Sequence, residues 1–226
     1  MKILLIAPES SNIDSISEIR TLSGMHRVQT LNGTVTTQDV YQAARGQQID
    51  ALHFASHSGP AGIQLSGDEV LSPEDIVTVS KLAEASLVFF NGCNTGKLAS
   101  YATAHGIPYA IFANMDIPEF SAWKFPLAFY EYIEHQNGHE KGSIDYPLAF
   151  SQSGTGQDGT YGFAVSLEAL LSRPEQLALD ELDQSLQSIN DLVRLLARTL
   201  RLSIIANLVL FSVIFMLLFL HSSGVY

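Results

Sequence analysis

The stretch "SLVFFNGCNTG" (86–96) runs through four consecutive apolar residues into asparagine and glycine, then the chain's single cysteine, then a polar turn. A continuous apolar run of strand length, bounded by turn residues, reads as a strand buried on both faces. Strands of that kind belong to parallel sheets covered by helices. A second stretch, "IDALHFASHSG" (49–59), has the same grammar: an apolar run, small residues, His57, then Ser58 and Gly59. In open α/β sheets, ligands bind just beyond the carboxyl ends of the strands, so His57 and Cys93 both fall where a site belongs.

Reading outward from these two stretches, strand and helix signals alternate. "KILLIA" (2–7), "RVQTLNG" (27–33), "PYAIFAN" (108–114) and "YGFAVS" (161–166) are predicted strands. Ile13, Ile16, Ile19 and Leu22 recur at helical spacing. "TTQDVYQAARG" (36–46) carries threonine caps at its start and a glycine stop. "LSPEDIVTVSKLAEA" (71–85) has Ser72 as N-cap, Pro73 at the first helical position and Asp75 three residues on, a relative of the capping box. Helices are also predicted over "KLASYATAH", over "FSAWKFPLAFYEYIEH" and near "YPLAFSQ". The expected fold class is therefore α/β, a parallel-rich sheet with helices on both faces.

Composition narrows the function. Lys and Arg total 12 against 23 Asp and Glu, a net charge of −11, which argues against a nucleic-acid partner. One cysteine allows no intrachain disulfide and suits a reducing compartment. "MKILLIAPES" has too short an apolar run for a signal peptide and is read as the first strand.

The other end differs. "LSIIANLVLFSVIFMLLFL" (202–220) is nineteen residues without a charge. At ~1.5 Å per residue it approaches the ~30 Å hydrocarbon core of a bilayer. Arg194, Arg198 and Arg201 precede it and no Lys or Arg follows, so a transmembrane helix here would leave the N-terminal domain in the cytoplasm, at the inner membrane. Before it, Leu179, Leu182, Leu186, Ile189, Val193, Leu196 and Leu200 mark alternate steps of three and four, a heptad seam. The register continues through Ser203 and Asn207 to Leu210, Ile214 and Leu217. An Asn at a seam position can fix the register of a parallel helix pair, so a homo-oligomer is expected. The other reading is an amphipathic helix packed on its own domain, which Leu177, Leu192 and Leu195 would favour. The organisation expected is a domain over 1–168, a linker helix over 174–201 and a transmembrane helix over 202–220.

A thiol beside an imidazole is a nucleophile with a base at hand, whereas a lone cysteine elsewhere packs as a small hydrophobe. Spacing leaves both open. The residues do, however, resemble a family. "KILLIAPES" with its following "EIR", "IDALHFASHSG", "LVFFNGCNTG", "HGIPYAIFANMDIPEFSA" and "FPLAFYEYI" occur in the order found in caspase-like (clan CD) cysteine peptidases, most closely the bacterial CHAT-type branch of conflict and regulated-proteolysis systems. The likeness runs from Lys2 to about Ser166.

That resemblance implies a cysteine endopeptidase with His57 and Cys93 as the dyad, and His53 as a structural histidine. The oxyanion would be held by the N–H of Cys93 and the backbone near Gly59, and the glycines beside the pair, Gly59 and Gly92, would let a substrate backbone approach and supply N–H donors. No metal or other cofactor is implied. Ser58 stands where the family usually has glycine. Asp116 and Glu119, in "NMDIPEF", would face a basic residue before the scissile bond. His135 and His139 have ligand-like spacing but read as a solvated loop, having no Cys or Asp beside them. The expected partner is a protein substrate encoded nearby, in a bacterial defence or conflict system. The alternative is a catalytically weak or inactive caspase-like module that tethers a partner to the membrane.

Overall fold

The computed structural model describes residues 1–9, 15–59, 61–137, 144–153 and 160–171. All of these lie in one compact unit, Met1–Ser172. Residues 174–201 and 202–220, with the seam and the expected membrane helix, lie outside the described residues, as does His139. Among the described residues, no helix is long and apolar enough to cross a membrane.

The strands are β1 (Lys2–Pro8), β2 (Arg27–Gly33), β3 (Ala51–Ala55), β4 (Ser58–Gly59), β5 (Gly62–Gln64), β6 (Val70–Leu71), β7 (Leu87–Asn91), β8 (Tyr109–Ala113) and β9 (Tyr161–Val165). The helices are α1 (Ser15–Met25), α2 (Thr37–Ala44), α3 (Pro73–Leu82), α4 (Gly96–Ala104), α5 (Glu119–Asn137), α6 (Tyr146–Gln152) and α7 (Leu167–Leu171). Six strands form the main sheet in the order β2-β1-β3-β7-β8-β9, and helices cover both faces. This mixed, parallel-rich arrangement fits the caspase-like fold expected from the sequence.

Side-chain alternation along the strands sorts the core into two layers. Leu4, Leu52, Phe54, Val88 and Phe90 point to one face, under Val40 of α2, Ile76 and Val79 of α3 and Leu98 of α4. Ile3, Leu5, Phe89 and Ile111 point to the other, where Leu22 of α1 and Phe125, Phe129, Tyr130 and Ile133 of α5 cover them. Each fully buried Phe or Leu contributes about 1.5–3 kcal/mol relative to exposure, so both layers are needed for stability. The caps behave as their sequences require: Ser72 and Asp75 form a reciprocal capping box, and so do Thr36 and Asp39. The Ser72 hydroxyl beside Asp75 draws its carboxyl below the ordinary value.

Two features depart from the sequence reading. β9 runs antiparallel to β8, with Ala113 opposite Tyr161, so the sheet is not wholly parallel. Periodicity marks a buried strand but not its direction, which depends on the end at which the chain re-enters the sheet. The stretch after His57, expected as a small-residue loop, instead builds a three-stranded antiparallel sheet, β4-β5-β6. Strands of two or three residues carry no readable alternation. This one depends on Gln64 N–H donating to the His57 carbonyl (2.9 Å) and on Gly62 at φ +142°. A Cβ on Gly62 would sit 2.0 Å from the Leu71 carbonyl oxygen, which only glycine avoids.

Candidate active site

β3 and β7 are parallel neighbours, and their last residues, Ala55 and Asn91, are register partners. His57 and Cys93 each lie two residues further on, at equivalent positions beyond adjacent strand ends. Register thus brings together two residues that are 36 positions apart in the chain (93 − 57). Between them, the Ser58 hydroxyl donates to the Cys93 carbonyl and clips one loop to the other. His57 is exposed and Cys93 half-buried.

Gly92 has a packing role as well. It is buried, and a Cβ there would meet the Ser56 carbonyl oxygen at 2.5 Å and Ser58 Oγ at 2.9 Å. Its missing side chain lets the two strand ends approach each other, so that space is filled by the protein rather than left for a substrate. Gly59 has open space around its Cα.

The turn carrying Cys93 is pinned from behind. Buried Thr95 donates through Oγ1 to the Gly92 carbonyl (3.2 Å), and that same oxygen accepts the Ala113 N–H (3.0 Å). Thr95 N–H in turn donates to the Ala113 carbonyl (3.0 Å). Asn94 sits in the left-handed region at φ +54°, a conformation asparagine tolerates better than most residues. The loop after β8 then folds against the cysteine. Asn94 N–H donates to the Met115 carbonyl (3.3 Å), Asn94 Nδ2 to Asp116 Oδ1 (2.7 Å), and Ile117 N–H to Cys93 Sγ (3.4 Å). Asp116 is exposed, and its bond partner Asn94 is the residue that follows Cys93. Glu119 opens α5, and its side chain lies outside the described residues. His135, at the far end of α5, approaches the Glu131 carbonyl at 2.7 Å.

Beneath the two strand ends lies a buried polar network. His53, fully buried, stacks on Phe89 at 4.5 Å between ring centroids. Its Nδ1 is 3.1 Å from the Tyr130 hydroxyl. Its Nε2 is 3.0 Å from Glu18 Oε1, close but not aligned as a hydrogen bond. Glu18, on α1, is only 7% exposed, and Asn91 Nδ2 also donates to its Oε1 (3.0 Å). Asn91 Nδ2 donates in addition to the Ala122 carbonyl (2.7 Å) on α5, and Asn91 Oδ1 accepts the Tyr161 hydroxyl (2.6 Å) on β9. Burial pushes the Tyr130 phenol well above its ordinary value, so it stays a neutral hydroxyl. The residues two places before Cys93 and four before His57 are thus held to α1, α5 and β9.

Residues 8–143 match the family model for the CHAT domain. The chain belongs to the CHAT-domain family. CHAT domains fall within the caspase-like clan of peptidases, so the clan expected from the sequence is the one found. No curated protein matches the sequence. Among solved structures, the Arg-specific cysteine proteinase gingipain R is similar at 11% identity and a TM-score of 0.45, over 67% of this chain. The chain spans 40% of the gingipain chain. The Salmonella typhimurium response regulator RcsB is similar at 10% identity and a TM-score of 0.37, over 67% of each chain. At these scores, neither neighbour decides the fold or the activity of this one.

Sequence reasoning named His57, Cys93, Gly59, Gly92, Asp116 and Glu119. It did not assign roles to Asn91, Asn94, Ile117 or the Ser58 hydroxyl. The two asparagines flanking "GC" were a usable signal, because Asn both tolerates positive φ and offers donors to nearby backbone. The Ile117 N–H carried no signal, since any residue supplies one.

Proposed function

We propose that this protein is a cysteine endopeptidase in which His57 and Cys93 form the catalytic dyad. The observation that carries the reading is the β3–β7 register, which sets the two residues at equivalent positions past adjacent strand ends. In the reaction, Cys93 Sγ attacks the carbonyl carbon of the scissile peptide bond, and its proton passes to His57. His57 protonates the departing amine as the C–N bond breaks, leaving a thioester. Water, deprotonated by His57, then attacks the thioester and releases the acid and the thiol. The Cys93 N–H and the backbone near Gly59 serve the oxyanion. Asp116, with Glu119 nearby in sequence, draws a Lys or Arg side chain into the position before the scissile bond.

The rest of the proposal concerns the setting. Residues 202–220 anchor the enzyme in the inner membrane with the peptidase domain in the cytoplasm. The seam over 179–200 pairs copies of the chain, and the substrate is a protein encoded nearby, in a defence system. Full-length protein, wild type against Cys93→Ala and His57→Ala, should be co-expressed with neighbouring gene products, and a thiol-directed probe applied to each. The expected outcome is a cleaved neighbour with wild type only, and probe labelling of Cys93 that weakens in His57→Ala. Unchanged labelling in His57→Ala together with no cleavage would refute the dyad and leave a tethering module.

A further inference from the structure

Three successive residues of the loop after β8 each touch the turn that carries the nucleophile. The Met115 carbonyl takes the Asn94 N–H, the Asp116 carboxylate takes Asn94 Nδ2, and the Ile117 N–H reaches Cys93 Sγ. Asn94 contributes two of these three contacts, one from its backbone and one from its side chain. It makes both contacts while in the left-handed region at φ +54°. The 2.7 Å bond to Asp116 uses only Oδ1. Among the described residues, no Lys or Arg pairs with this carboxylate, and Asp116 is exposed. A neutral amide holds the carboxylate in one orientation without cancelling its charge. What remains is a negative charge with one committed oxygen and one open oxygen, fixed next to Cys93.

We propose that Asn94 is a specificity-positioning residue: its side-chain amide orients Asp116 so that the carboxylate's free oxygen receives the cationic side chain preceding the scissile bond. This rests on the peptidase reading above and names a residue that sequence reasoning left without a role. An exposed Asp side chain free to rotate spreads its charge over several rotamers, and a cation that binds it must first restrict them. The Asn94 bond removes that freedom beforehand. The same bond ties the charge to the turn of the nucleophile, so a substrate cation that finds Asp116 arrives in register with Cys93.

Asn94→Gly is the informative substitution, because glycine accepts φ +54° while losing the amide. Full-length wild type, Asn94→Gly, Asp116→Asn and the double variant should be assayed on matched fluorogenic peptides with Arg, Lys or Leu before the scissile bond. The expected result is a fall of about tenfold or more in the Arg-to-Leu ratio of kcat/KM for Asn94→Gly, carried mainly by KM. Asp116→Asn should fall similarly, and the double variant little further, because the two residues act as a unit. A loss shared equally by Arg and Leu peptides, an unchanged ratio, or fully additive losses would overturn the proposal.

A second readout does not need catalysis. Arginine amide should slow alkylation of Cys93 by iodoacetamide in wild type, and much less in Asn94→Gly. If no peptide is cleaved yet wild type shows this protection and the variant does not, the peptidase reading fails, and only the orienting of Asp116 by Asn94 toward a bound cation stands. If peptides are cleaved but arginine amide protects both proteins alike, the Asn94 assignment fails alone. Absence of protection in wild type also overturns it.

Discussion

Asn91 joins β7 to three other elements, and replacing it with aspartate should convert that joint into a pH-dependent weakness. The substitution keeps the volume and the bond from the Tyr161 hydroxyl but turns Nδ2, a double donor, into an acceptor facing two acceptors. One lost bond went to the Glu18 carboxylate and one to the Ala122 carbonyl. At about 2 kcal/mol for the charged partner and about 1 for the neutral one, the bonds alone account for about 3 kcal/mol. Two carboxylates would also face each other across the 3.0 Å now spanned by the Asn91–Glu18 bond. With an effective dielectric constant of about 20, that repulsion is roughly 5 kcal/mol. Protonating one carboxyl at about pH 7.5 costs roughly as much, and the protonated form recovers the bond to Glu18. With the Ala122 bond still lost, the expected deficit at about pH 7.5 is about 6 kcal/mol, a large part of the ~5–15 kcal/mol that holds a domain together.

The sign with pH follows from linkage. The introduced carboxyl has a folded-state pKa above its unfolded value of about 4, so its contribution is fully present below about pH 4 and is lost as pH rises through the folded value. At about pH 4.5 the deficit relative to wild type should shrink to about 2 kcal/mol, mostly the Ala122 bond. Urea unfolding of the full-length chain reads this directly. The only tryptophan, Trp123, follows Ala122 in sequence and reports on the joint. A variant as stable as wild type at about pH 7.5, or a deficit identical at both pH values, would refute the account of Asn91.

Two further outcomes are expected. Burial holds the His26 imidazole below its ordinary value, helped by the N-terminal amine and opposed by the Tyr130 carbonyl, Glu134 and Asp50. Its Nδ1 is 3.2 Å from Glu134 Oε2 without hydrogen-bond geometry, as a neutral ring donating from Nε2 to Tyr130 would leave it. The unfolded chain binds this proton more readily, so the His26 contribution is present above about pH 6.5 and fades as pH falls. The melting-temperature difference between wild type and His26→Phe should narrow toward about pH 5, and parallel curves would refute it. At the strand ends, Gly92→Ala forces a methyl against the Ser56 carbonyl oxygen and should cost about 1–3 kcal/mol and slow Cys93 alkylation. Gly59→Ala meets nothing within 4 Å and should change stability by less than about 0.5 kcal/mol, so equal losses in the two variants would contradict the packing role of Gly92.

Much of this protein is legible in the chain itself. The buried runs at 2–7, 50–56, 86–92 and 108–114 could only be central strands, because nothing but two covering layers accommodates apolar residues on both faces. The Ser72 and Thr36 caps are local chemistry, complete within four residues, and both formed as read. His57 and Cys93 were singled out because each follows such a run in a turn of small and polar residues. Other features depend on which segments meet in space. The direction of β9 is decided by where the chain re-enters the sheet, and β4-β5-β6 by hydrogen bonds too short-ranged in sequence to leave a period. Gly92 reads as a loop glycine until Ser56 and Ser58 are found packed on its Cα. Asn91, Glu18, His53 and Tyr161 are ordinary polar residues on four separate segments. Only the folded sheet, by excluding water from all of them, makes Asn91 bond both Glu18 and Tyr161 and sets His53 against Tyr130 beneath the two strand ends.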